Sequence, residues 1–125
     1  MTEFTADQRA AVGLKAYGRI IAQWGLSAPE AAALVGLSEA DMAKARDPDE
    51  TISLTEDEVL RLSALLGIYK ALGTYFEDPI ARAWMTRANA GALFVGARPV
   101  DVAIEGGLPA LLEIRRECEG IAMGL

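Results

Sequence analysis

Four times along this chain a Ser or Thr stands just ahead of an apolar run. Thr5 precedes Gln8 by three residues, Ser27 precedes Pro29, Ser38 precedes Asp41, and Thr55 precedes Glu58. A hydroxyl there accepts from an orphan backbone N–H of the first helical turn, and an acid or amide three residues on reaches back to the cap. Stops follow the starts. Gly25 is placed to end the first helix and Gly36 the second, and Asp47-Pro48-Asp49 breaks the third. A chain punctuated in this way is confined to short helices, and no stretch alternates as a strand does.

Apolar spacings of three and four place one face on each helix. On the first they predict Ala11, Leu14, Tyr17, Gly18, Ile21 and Trp24. The helix after Thr55 is apolar on two lines, Val59, Leu62, Leu66 and Tyr69 on one, Leu65, Ile68, Leu72 and Phe76 on the other. That pattern predicts a central strut covered from several sides. Asp78-Pro79 restarts a helix carrying Ile80, Ala83, Trp84 and Arg87. Residues Asn89 to Gly96 read as a turn with Leu93, Phe94 and Val95 packed inward. Pro99 begins a short helix that stops at Gly106-Gly107, and Pro109 begins the last one, with Leu111, Ile114, Cys118 and Ile121 along one line. The expectation is an all-α chain of about seven helices. A polar stretch at 47–54 sets the division, 1–54 for the first unit and 55–125 for the second.

Chemistry is restricted by what the chain lacks. It has no His and a single Cys, Cys118. The commonest general base and the usual zinc ligands are therefore missing, and no carboxylate pair sits in an apolar motif. An enzyme is not expected, nor any cofactor. Cys118 falls on an apolar helix line and reads as a small buried hydrophobe. With a net charge of −6, binding to nucleic acid demands a local basic patch. The N-terminal stretch is polar and mixed in charge, unlike a signal peptide. No apolar run approaches the roughly 20 residues of a membrane span. A cytoplasmic location follows as the expectation.

Residues 28–47 have helix-turn-helix spacing. Ala32 allows a close helix crossing, Gly36 suits the positive φ of the turn, and Leu37 and Met42 plug the angle between the helices. In such motifs the second helix enters the major groove. The residues it offers are Ser38, Glu39, Ala40, Ala43, Lys44 and Asp47, with Arg46 nearby. Ser38, Glu39, Lys44 and Arg46 are the candidate DNA contacts. Glu39 and Asp47 repel phosphate, so a second reading stays open: a helix pair serving only the core or a dimer.

From about Ala81 onward the chain resembles the toxin-binding C-terminal domain of the Xre/MbcA/ParS antitoxin family. The residues that carry the resemblance are Trp84, Asn89, Gly96, Pro99, Val102, Ala103, Gly106, Gly107, Leu111, Leu112 and Arg116. That family also places an Xre-like helix-turn-helix first. The resemblance implies a type II antitoxin whose partner is a RES-domain toxin that consumes NAD or attaches ADP-ribose to proteins. It implies a contact surface on Arg98, Pro99, Asp101, Gly106, Gly107, Arg115, Arg116, Glu119, Met123 and Leu125. A cleft for a dianionic pyrophosphate carries basic groups, which Glu113, Glu117, Glu119 and the carboxylate at Leu125 would answer. A homodimer is expected, with Trp84 either in the core or at the dimer contact, and operator DNA is a further partner to test. The alternative function is a helix-turn-helix transcriptional regulator without a toxin partner.

Overall fold

The structure is a computed structural model, and it describes residues 5–124. It is all-α, with six helices and no strand among the described residues: α1 (Ala6–Trp24), α2 (Ala28–Val35), α3 (Glu39–Ala45), α4 (Glu56–Tyr75), α5 (Ile80–Ala83) and α6 (Pro99–Ala122). A 3-10 turn, Trp84–Thr86, extends α5.

Every hydroxyl start named above forms. Thr5 and Thr55 close reciprocal capping boxes with Gln8 and Glu58. Ser38 accepts from the Asp41 N–H at 3.0 Å. Ser27 closes a box with Glu30, a pairing the sequence reading missed by attending to Pro29. Gly25 and Gly36 end their helices at φ +68° and +82°.

The inward face of α1 is rotated from the expected one. Ala10, Leu14, Tyr17, Ile20, Ile21 and Trp24 are buried, while Ala11 is exposed and Gly18 only half-buried. Two lines three and four apart are nearly equivalent on paper, and the position of α4 chooses between them. Tyr17 is fully enclosed, and its hydroxyl donates to the Ala31 carbonyl at 2.8 Å, tying α1 to α2. Burial without a charged partner pushes the Tyr17 phenol well above its ordinary range.

Helix α4 is the strut. It packs against α1, α2, α5 and α6, and Ala64, Leu65 and Ile68 are wholly removed from water. It leaves large apolar side chains exposed only near its two ends, Val59 and Leu60 at the start and Tyr75 at the finish. The core is one continuous cluster drawing on α1, α2, α3, α4 and α6 together with Met85 and Phe94.

Two local expectations fail. The helix after Pro79 is shorter than its apolar spacing implies: α5 ends at Ala83, and Arg87 is already extended. Val95 does not pack inward but lies 83% exposed at φ +49°. Phe94 takes the inward place, edge-on to Trp84 with ring centroids 5.5 Å apart. The two helices expected from Pro99 and Pro109 are joined end to end as α6, broken at Gly107 (φ 66°, ψ −149°). Pro109 sits just beyond the break, where its missing N–H leaves no helical bond unmade.

Candidate partner-binding site

The helix-turn-helix is built as its spacing demands. Ala32 is buried against the crossing, the Leu37 N–H donates to the Ala32 carbonyl at 3.0 Å, and Met42 is buried in the angle. On the second helix Glu39, Ala40, Ala43 and Lys44 are exposed, as are Arg46 and Asp47 just past its end. The Ser38 hydroxyl oxygen is committed to the cap. Asp47 accepts from the Asp49 N–H at 2.9 Å, which shapes the turn away from α3. Lys15 and Arg19 of α1 line a shallow cavity with Arg46, Asp47 and Glu50. These two basic residues were not among the DNA candidates. Helix spacing placed them on the outside of α1, and only the fold sets them beside α3.

The C-terminal candidates fall into three local groups. Arg98 is the N-cap residue of α6 and grips Asp101 with two bonds, Nε to Oδ2 at 2.8 Å and Nη2 to Oδ1 at 2.9 Å. The same Nη2 donates to Glu30 Oε2 at 2.9 Å. The start of α6 is thereby held to the capping box of α2. The Ser27 N–H, and then Arg98, hold the Glu30 carboxyl below the usual carboxylate range. Arg98 does the same for Asp101, and the two acids in turn raise the guanidinium. Pro99 is fully buried, so it starts the helix without being available as a contact.

The second group surrounds the break in α6. Gly106 is exposed, and a Cβ there would come within 2.5 Å of the Ala110 Cβ. Gly107 is half-buried with Arg61 of α4 against it: a Cβ would lie 3.3 Å from Arg61 Nη2. The same guanidinium stands 3.5 Å from where a Gly36 Cβ would be. Asp57 pins Arg61 at 2.7 Å. One arginine thus packs against both the helix-turn-helix turn and the α6 break. Sequence reasoning missed it, although Asp57 and Arg61 have the spacing of a helical ion pair.

The third group lies on the second half of α6. Arg115 pairs with Glu119 at 2.7 Å and lies across Gly67 of α4, where a Cβ would meet its Nε at 2.5 Å. A glycine in the strut makes room for that guanidinium. Arg116 is exposed and Met123 is 74% exposed. Leu125 lies outside the described residues. Cys118 is 1% exposed, and burial, with Glu117 and Glu119 adding to it, pushes the thiol up to about 12.

The family model of the antitoxin Xre-like helix-turn-helix domain matches residues 3–67, which take in α1, α2, α3 and the first half of α4. The chain belongs to this antitoxin family. Neither a curated protein nor a solved structure matches the chain. Antitoxins of this family are generally not enzymes, and membership implies a toxin partner. No helix among the described residues is long and apolar enough to cross a membrane.

Proposed function

We propose that this antitoxin neutralises a RES-domain toxin, one that consumes NAD or transfers ADP-ribose, by covering its active-site cleft with residues 98–125. The carrying observation is the braced break at Gly106-Gly107. Arg61 backs it, and Arg98 ties the start of α6 to α2. A surface held this firmly loses little freedom on binding. Exposed Glu113, Glu117 and Glu119 beyond the break suit a cleft made basic to receive a pyrophosphate. We assign residues 1–54 to the helix-turn-helix unit and 55–125 to dimerisation and toxin binding, with two copies per antitoxin.

Co-purification with the protein encoded beside it, followed by NAD consumption with and without the antitoxin, tests this reading. A stable complex in which NAD loss stops is the expected result. A partner that co-purifies but leaves NAD untouched overturns the RES assignment. Removing residues 120–125 tests the tail: binding and neutralisation that survive the deletion put the contact further back in α6.

Repression of its own operon is the second role. Lys15 and Arg19 beside Arg46 favour it, and Glu39, Asp41 and Asp47 oppose it. Binding of the antitoxin alone to its upstream DNA, with affinity falling steeply as salt rises, would support it. No binding at low salt would leave the helix-turn-helix a structural element.

A further inference from the structure

Helices α1 and α4 run side by side in the same direction, and an open groove follows their seam. Two cavities of about 320 and 510 Å³ lie along it and meet at Leu66. The first is lined from Ala6 to Gly13 and from Val59 to Leu66, the second from Ala16 to Gln23 and from Leu66 to Lys70. At about 1.5 Å per helical residue, the groove is roughly 25 Å long. Its floor is apolar, with Leu62 and Ile20 buried along it. The α1 wall is low because Ala10, Gly13 and Ala16 are small, and a Cβ at Gly13 would come within 2.9 Å of Leu62 Cδ2. Val12 falls on the outer line of α1 between Arg9 and Ala16. It is 61% exposed, and Val59 on the opposite wall is 43% exposed.

Charge is distributed just as unevenly. Arg9, Arg19 and Lys70 line the groove, and no acidic residue lines either cavity. All three cations are exposed, and none makes an ion pair among the described residues. In a chain of net charge −6 this is a local reversal of sign. Arg19 also faces the cavity beside α3, but Arg9 and Lys70 do not.

We propose that this groove seats an amphipathic helix of a partner protein, with an apolar stripe on the seam and carboxylates on both flanks. Helices enter apolar grooves through anchors at i, i+3, i+4 and i+7, and a length of roughly 25 Å takes about four to five turns. The three cations select acidic flanks and speed the encounter. Nucleic acid is the poorer occupant, because phosphates would answer the cations and leave Val12, Val59 and Leu66 uncovered. A second copy is poorer still. A two-fold contact on this groove sets Arg9, Arg19 and Lys70 against the same three cations, and facing like charges oppose it. The groove is formed by α1 and α4, apart from residues 98–125, so the inference does not depend on the identity of the toxin.

The probe is a synthetic helical peptide of about 18 residues, with leucines at the anchor spacing and glutamates on both flanks. A twin peptide carries lysines in place of the glutamates. Binding to the full chain is measured by titration calorimetry at low and high salt, with circular dichroism and sedimentation on every variant. The glutamate peptide is expected to bind, more weakly as salt rises, and the lysine twin is not. Arg9→Glu combined with Lys70→Glu, which leaves Arg19 in place, is expected to weaken the glutamate peptide by roughly tenfold and to admit the lysine twin. Arg9→Gln with Lys70→Gln, the milder pair, should weaken the first without admitting the second. No binding of the glutamate peptide, or equal binding of both peptides, overturns the proposal. Binding of the glutamate peptide that neither pair of substitutions changes is adventitious and overturns it as well. Displacement of the peptide by a DNA duplex, lost in both variants, assigns the groove to nucleic acid instead. A change of oligomeric state in both variants assigns it to a second copy.

Discussion

At Gly107 the backbone takes φ 66° and ψ −149°, a combination essentially reserved for glycine. Two penalties await a side chain there. One is the backbone itself, about 1–3 kcal/mol. The other is the 3.3 Å approach to Arg61 Nη2, which a flexible guanidinium relieves by shifting a few tenths of an ångström. The backbone penalty dominates. Gly107→Ala is therefore expected to destabilise the antitoxin by roughly that amount in urea denaturation. Adding Arg61→Ala makes space and leaves the dihedral unchanged, so the double variant regains no stability. Recovery in the double variant would mean the side-chain contact sets the cost. The glycine pair and Pro109 announced a stop at this place in the sequence. The structure bears that stop out, with one non-helical residue, Gly107, between two helical halves; the Arg61 guanidinium packed against it was not legible, because it comes from α4.

At the scale of the element, each helix carries its own start signal, and those signals act within a few residues. The reciprocal boxes at Thr5 and Thr55 were readable because each needs only a cap and a partner three residues on, and the one at Ser27, overlooked beside Pro29, has the same spacing. What the element does afterwards is another matter. Glu30 closes the α2 box and also receives Arg98 from the start of α6, a contact across 68 positions that no local pattern encodes. Its carboxyl is held below the ordinary range in the folded protein. A lowered carboxyl stabilises the fold above its unfolded value of about 4.3. The contribution is lost as pH falls through the folded value. Glu30→Gln keeps the cap acceptor and removes the charge. Its Tm should lie below that of the wild type at neutral pH, and the gap should close as the medium is acidified below pH ~4. A gap that is constant with pH would mean the Arg98 contact contributes through shape alone.

Across the whole molecule, helices from both halves of the chain enclose one core, and Cys118 reports on it. The thiol is 1% exposed and raised to about 12, so it is both shielded and protonated at neutral pH. An aromatic disulfide reagent should label it only when the protein opens. Its labelling rate should match the rate of global unfolding measured independently. Labelling much faster than unfolding would show that the second half of α6 lifts from α4 by itself. The face of α1 belongs to this scale as well. The apolar spacing allowed two faces, and packing on α4 turned Ala10 and Ile20 inward in place of Ala11 and Gly18.

The all-α class, the starts of the first four helices and the stops of the first three, the helix-turn-helix spacing and the buried thiol were determined by sequence alone. Each depends on residues within one or two turns of one another, where caps, φ preferences and periodicity act directly. The fold alone decided the rotation of α1, the exposure of Val95, the shortness of α5, and the two arginines that bind the C-terminal module to the helix-turn-helix. Those features depend on which surfaces meet. Arg61 and Arg115 find their places only once α4 and α6 lie side by side, and Arg98 only once α6 meets α2; spacing along a chain holds no record of those distances.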